Sequence, residues 1–329
     1  MKMKVLDYTL IGILAGTSQM ALAQETPAHL DCTTEGCASG EGLVFSLRTR
    51  SYDQPVTDGT DASSSSQTLQ PDRRVDLALE SPGRAVAQGR FSVNLPGGGV
   101  IWATEDPTLG RPELSVSAPT MVPFDGSAIT RPVRFFVRGN YTSFIDRMEL
   151  AVFRATDADL VQPLATVPIQ VAPVAQVEWD GVLPADVRFR AGDELVYVLR
   201  AFDAKGNIDQ THARRLQLVR PDEAERGRQR LRESTERGYG VALSDDQAET
   251  QRLIDDVFGE SALRYQNIPI YGSRVRVQGR NLPIGYGLLI NGDSYPVDLE
   301  RKFVAEYLVP VGQHTFDMEL TGGGDAFGG

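Results

Sequence analysis

Side chains that carry most catalytic and metal chemistry are scarce in this chain, which has 2 cysteines and 3 histidines in 329 residues. His29, His212 and His314 stand in three distant regions, so no H-E-x-x-H or paired-histidine metal motif exists. A four-ligand zinc site at Cys32 and Cys37 would need two more ligands, and only His29 lies nearby. There is no G-x-S-x-G nucleophile turn, although spacing alone leaves a Ser-His-Asp set open. Gly97, Gly98 and Gly99 lack the following Lys-Ser or Lys-Thr of a phosphate loop, and a hairpin turn explains them. A basic excess is missing too: 33 Lys and Arg face 44 Asp and Glu, a net charge of −11. That is the wrong sign for gathering phosphates by counterion release, so no nucleic-acid partner is expected. No catalytic residue, cofactor or metal is expected.

What is present begins with an export signal. "MKMK" supplies positive charge, "YTLIGILAG" an apolar stretch and Ala21 to Ala23 a small-x-small cleavage site, which makes 1–23 a signal peptide. A membrane anchor would need roughly 18 consecutive apolar residues, more than are there. No Cys follows the cleavage site, so lipid attachment has no substrate at that point. The mature chain is expected to start near Gln24, in the periplasm, the outer membrane or at the cell surface. In that oxidising setting Cys32 and Cys37 are expected to form a disulfide. So short a loop is a local staple, stabilising by roughly 2 kcal/mol on the chain-entropy model. Residues 24–40 show no periodicity and read as an exposed leader.

From Gly42 onward the pattern is that of strands. "LVFSLRTR", "RVDLALE" and "RFSVNLPGGGVIWAT" alternate, with a Ser-rich loop at 57–68, and 41–112 reads as a small β module. Between 113 and 220 seven short strands succeed one another with turn signals between them. In "RPVRFFVRG", Val133, Phe135 and Val137 share one face while Arg134, Phe136 and Arg138 share the other. That count and spacing suit an immunoglobulin-type β-sandwich.

Within it, "VAQVEWDG" places Trp179 on the apolar face with Ala175 and Val177, and Asp180 and Gly181 supply the chain reversal. The competing reading, an acid beside a sugar-stacking ring, needs a second carboxylate that sequence cannot place. Trp179, Asp180 and Gly181 are therefore read as a structural anchor. With Gly192, Tyr197, Arg200 and Ala201 they resemble the Trp-Asp-Gly Ig-like module of flagellar hook-assembly scaffolds and many exported bacterial proteins. That resemblance implies a scaffold or adhesive spacer without a catalytic residue.

Residues 221–262 are dense in both charge signs and read as a charged helical linker. Inside it Ser244 and Gln247 form a capping box, Leu253, Ile254, Val257 and Phe258 an apolar stripe, and Gly259 a stop. The stripe is expected to dock on a sheet, because so short a helix is marginal alone. Residues 263–321 return to strands, with "NGD" at Asn291 to Asp293 a strong hairpin signal. This segment resembles the small Ig-like modules of bacterial surface proteins. Residues 322–329 read as a flexible Gly-rich end.

The fold expected is therefore mainly β, with tandem Ig-like β-sandwich modules and a short charged helical linker. "DAKGNID" offers Asp203, Asn207 and Asp209 at calcium-loop-like intervals, but Lys205 stands where an acid belongs, and a polar turn is preferred. The arrangement resembles the N-terminal extramembrane part of large bacterial outer-membrane proteins. It implies a non-enzymatic structural or adhesive role, with envelope proteins or surface glycans as partners. Membrane association is expected only through sequence beyond this chain. The alternative is the carbohydrate-binding accessory region of an exported polysaccharide-processing enzyme, with Trp102, Tyr271 and Tyr286 as sugar contacts.

Overall fold

A computed structural model describes residues 43–51, 89–95, 98–106 and 110–322. The export signal, the leader with Cys32 and Cys37, the Ser-rich loop, the strand expected at 74–80 and residues 323–329 lie outside the described residues. The first strands are β1 (Leu43–Ser51), β2 (Gly89–Asn94), β3 (Val100–Asp106), β4 (Leu114–Ser117), β5 (Met121–Pro123) and β6 (Val133–Gly139). Then come β7 (Arg147–Arg154), β8 (Ala165–Ile169), β9 (Val174–Trp179), β10 (Glu194–Phe202), β11 (Ile208–Thr211) and β12 (Arg214–Val219). Helices α1 (Pro221–Tyr239) and α2 (Asp245–Val257) follow. The last strands are β13 (Leu263–Tyr265), β14 (Ser273–Arg280), β15 (Tyr286–Ile290), β16 (Asp293–Tyr295), β17 (Phe303–Val309) and β18 (Gly312–Gly322).

The chain is mainly β and divides into two compact units. The central unit takes Gly110–Tyr271 and Tyr307–Pro310; the split unit takes Gly272–Glu306 and the described residues before 110 and after 310. This corrects the division expected from sequence, which made 41–112 and 263–321 separate modules. β1 pairs with β18 from Leu43↔Leu320 to Ser51↔Gly312, and β3 pairs with β14 from Val100↔Arg280 to Asp106↔Arg274. The physical reason is that two or three strands with one apolar face cannot close a core alone. Alternation reports which side chains face inward, not which strand lies alongside.

In the split unit the sheets run β1-β18-β15-β16 and β17-β14-β3-β2. Tyr295 of the first meets Phe303 of the second edge to face, with ring centres 6.1 Å apart, and its hydroxyl donates to the Val304 carbonyl (2.8 Å). The β15–β16 hairpin closes through Asn291 (φ 55°) and Gly292 (φ 84°), the two left-handed residues of a type I′ turn.

The central unit faces a three-stranded sheet, β4-β6-β9, against a seven-stranded one. In the larger sheet β10 carries β7 and then β8 on one edge, and β11 and β12 on the other. β13 extends β11, and β5 pairs in parallel with β12. Leu114, Val116, Val133, Phe135 and Val137 from one sheet meet Leu150, Val152, Leu195, Tyr197, Leu199 and Leu216 from the other in one buried core. All seven strands read from 113–220 are present. β5, β11 and β13 were missed because three or four residues are too few to show alternation.

The helices are not a linker. Both belong to the central unit, where α2 packs on β4 and β6 and α1 packs on β5 and α2. α2 starts at the Ser244–Gln247 capping box, formed in both directions at 3.1 and 2.9 Å. Leu253, Ile254 and Val257 are buried, each worth roughly 1.5–3 kcal/mol. The helix ends at Val257 with Phe258 as its C-cap, and Gly259 follows directly after it. On α1, Gly227 lets the end of the Met121 side chain lie against the helix, and a Cβ there would displace the Met121 methyl. Asp246 binds Arg131 (2.6 Å) and Arg228 (3.0 Å), and Arg134 donates to Thr250 (3.1 Å), tying the hairpin to β6. Roofed in this way, Phe136 and Arg138 on the outer face of β6 are buried.

Candidate functional site

Trp179 ends β9, pairs with Val133 and is 3% exposed within the core. Asp180 accepts the Val182 N–H (3.0 Å), so its carboxylate closes the turn. Gly181 has φ 77°, and a Cβ there would stand 2.6 Å from that of Ile129. Tyr197 and Ala201 are buried, and burial pushes the Tyr197 phenol up to about 12. Tyr197 meets Phe135 edge to face at 5.1 Å. Gly192 (φ 101°) turns the chain before β10, and Arg200 faces away from this core.

The "DAKGNID" oxygens do not converge. Asp203 Oδ1 accepts the N–H groups of Lys205 (2.9 Å) and Asn207 (2.8 Å), and its Oδ2 accepts the Asn207 side-chain amide (2.7 Å). Asp209 points into the other face of the sheet, fully buried. There its Oδ1 accepts the N–H groups of Asn267 (2.5 Å) and Ile268 (2.9 Å), and its Oδ2 accepts the Tyr141 hydroxyl (2.8 Å). Burial, with the Asp209 charge beside it, pushes the Tyr141 phenol far above its ordinary value. This network joins β11 to the segments before and after it, and no sequence spacing announces it. Among the described residues no group of three His, Cys, Asp or Glu is placed to hold a metal ion.

The three aromatics expected to touch sugars lie on different segments. Trp102 lies on β3 with Arg280 5.7 Å from its ring, Tyr286 opens β15 in the other sheet of the split unit, and Tyr271 belongs to the central unit beside Phe144. His212 and His314 belong to different units.

A different set does converge, on the outer face of the seven-stranded sheet. Arg200 on β10 pairs in register with Glu149 on β7 and with Gln210 on β11, and Gln210 pairs with Tyr265 on β13. Directly opposed residues share a face, so Glu149, Arg200 and Gln210 make one row, which Tyr265 continues across a register shift beside Gln210, about 14 Å in all at about 4.8 Å per strand. The alternate residues Leu199, Ala201, Asp209 and Thr211 are buried, which leaves the row outward. Arg147, Phe202 and Ile208 form the next row.

The groups in these rows hold one another. Arg147 lies 3.4 Å over the Phe202 ring and donates to Glu149 (3.0 Å). Arg200 donates to the Gln210 side chain (2.9 Å) and to the Leu160 carbonyl (3.1 Å). On the Leu160 side the face is roofed, with Ala151, Phe153 and Val198 buried. On the other side it is open, with Ile208 41% and Tyr265 48% exposed. The Arg264 guanidinium sits 4.8 Å from the Tyr265 ring and has no acidic partner among the described residues. The face thus offers a planar donor, an amide, a carboxylate and an exposed ring, each held in place.

No family model matches the chain, and comparison with curated proteins finds no match.

Proposed function

We propose that the protein is a non-enzymatic structural or adhesive component of the bacterial cell envelope, exported by its N-terminal signal and belonging to the extramembrane part of a larger outer-membrane protein. The reading is supported chiefly by the strand order of the central unit. The three-stranded β4-β6-β9 faces the seven-stranded sheet, in which β5, β11 and β13 add to β8-β7-β10-β12, and each sheet combines strands from both halves of the segment. This is how Ig-like and fibronectin-like sandwiches distribute their strands. Modules of that kind space and present binding surfaces. The Asp180, Asp203 and Asp209 carboxylates, which a catalytic or calcium reading would need, are engaged in turns and buried bonds.

Fractionation of cells producing the whole protein tests the assignment. Recovery from the periplasm or outer membrane, with a mature start near Gln24 and a mass that rises by two hydrogen atoms on reduction of Cys32–Cys37, is the expected result. Recovery from the cytoplasm with Met1 retained and two free thiols would overturn it.

A further inference from the structure

We propose that the open outer face of the seven-stranded sheet, along the Glu149–Arg200–Gln210–Tyr265 row, binds an acidic sugar chain. This names the partner of the envelope reading above and rests on it. Three features of the face point to that ligand.

The first is shape. The row is about 14 Å long at ordinary strand spacing, room for a few linked sugar rings lying across four strands. Roofed residues flank it on the Leu160 side, so a bound chain would lie along a ledge.

The second is the mixture of groups. Sugars present an apolar C–H face and an edge of hydroxyls that donate and accept. Tyr265 supplies an aromatic surface at 48% exposure, with Ile208 beside it at 41%. Arg200 offers donors, Glu149 acceptors and Gln210 both. These side chains are already fixed by the Arg200–Gln210 and Arg147–Glu149 bonds, so little rotamer freedom remains to be lost on binding.

The third is charge. The chain carries −11 overall, yet this face brings Arg147 and Arg200 onto the one carboxylate of Glu149 and adds Arg264 beside the exposed ring. Arg264, beside the exposed ring and without an acidic partner among the described residues, is placed to meet a carboxylate on a sugar stacked there. A neutral sugar would leave that local excess of positive charge unused.

The test is titration of the full chain with a hexamer of galacturonic acid, a neutral cellohexaose and poly-glutamate, each at low and at raised salt. The acidic hexamer is expected to bind more tightly than the neutral one, with an affinity that falls as salt rises. Tyr265→Ala should weaken it at least tenfold, with an unchanged melting profile because the residue is half exposed. Arg264→Gln should retain binding to both hexamers but remove most of the preference for the acidic one. The proposal is overturned if neither hexamer binds, if the neutral one binds as well as the acidic one, if poly-glutamate binds better than both, or if Tyr265→Ala changes nothing. Cleavage of the hexamer would overturn the non-enzymatic reading instead, and the Tyr265→Ala comparison would still decide the site.

Discussion

In the central unit Val137 on β6 pairs with Ala175 on β9, and Arg200 on β10 pairs with Gln210 on β11. In the split unit Val100 pairs with Arg280 and Leu43 with Leu320, and the whole of Gly110–Tyr271 lies between the partners in sequence. Both units are built from alternating strands, but one closes mainly from segments within Gly110–Tyr271 and the other from segments that flank it. The entropy of closing a loop grows only slowly with its length, so the distant pairing is thermodynamically tolerable. It is kinetically demanding, because long-range pairs form only after the intervening chain has been organised.

Truncation after Pro310 should break this comparison most strongly. It removes β18, which pairs with both β1 and β15, and so takes the spine out of one sheet of the split unit. Hydrogen exchange should show protection lost across β1, β3 and β14–β16 while β6, β7 and β10 keep theirs. Loss in both units alike would mean that the two cores do not stand separately.

Next in size is Trp179→Ala, which should cost the central unit roughly 3–5 kcal/mol, since a large buried ring leaves a cavity. Chemical denaturation followed at probes in each unit should show only the central transition moving. Asp209→Ala tests a polar keystone of the same unit. It strands the Asn267 and Ile268 N–H groups and the Tyr141 hydroxyl, at roughly 2–3 kcal/mol, whereas Tyr141→Phe removes one bond at about 1 kcal/mol. Equal losses from the two substitutions would count against the network.

The counterpart in the split unit is Glu306, which is nearly buried and accepts two bonds from Arg276, at 3.0 and 2.6 Å. Glu306→Gln should cost about 1–2 kcal/mol, below the figure for a fully buried pair because Arg276 is 43% exposed.

The smallest expected effect concerns Asp246. Burial raises its pKa, but the Arg131 hydrogen bond and the charges of Arg131, Arg228 and Arg134 outweigh that, so the carboxyl sits below its ordinary value. A depressed folded-state pKa gives stabilisation that is present above the unfolded value of about 3.9 and lost as pH falls through the folded one. Lowering the pH below about 4 should therefore loosen the α1–α2 hairpin, and Asp246→Asn should remove that part of the acid sensitivity. With the side chain 59% exposed, the loss should stay under about 1 kcal/mol, read from the acid limb of a stability–pH curve.

Local rules made part of the molecule legible. The Ser244–Gln247 box, the Asn291–Gly292 turn and the inward set Val133, Phe135 and Val137 each depend on residues within one turn or one strand. The candidate site was not legible in that way. Tyr265, Gln210, Arg200 and Glu149 come from four strands, two of them too short to show a period, and sequence drew attention instead to Trp102, Tyr271 and Tyr286.

By itself the sequence determined seven of the strands in 113–220, the inward set on β6, the Asn291–Gly292 turn and the start of α2, because side-chain period, capping and left-handed turn residues act over a few positions. Only the tertiary structure decided that β3 lies beside β14, that α2 buries Phe136 and Arg138, and that four side chains far apart in the chain share one open row. Those outcomes follow from which apolar faces could cover one another, a choice made between whole strands and sheets that no local pattern encodes.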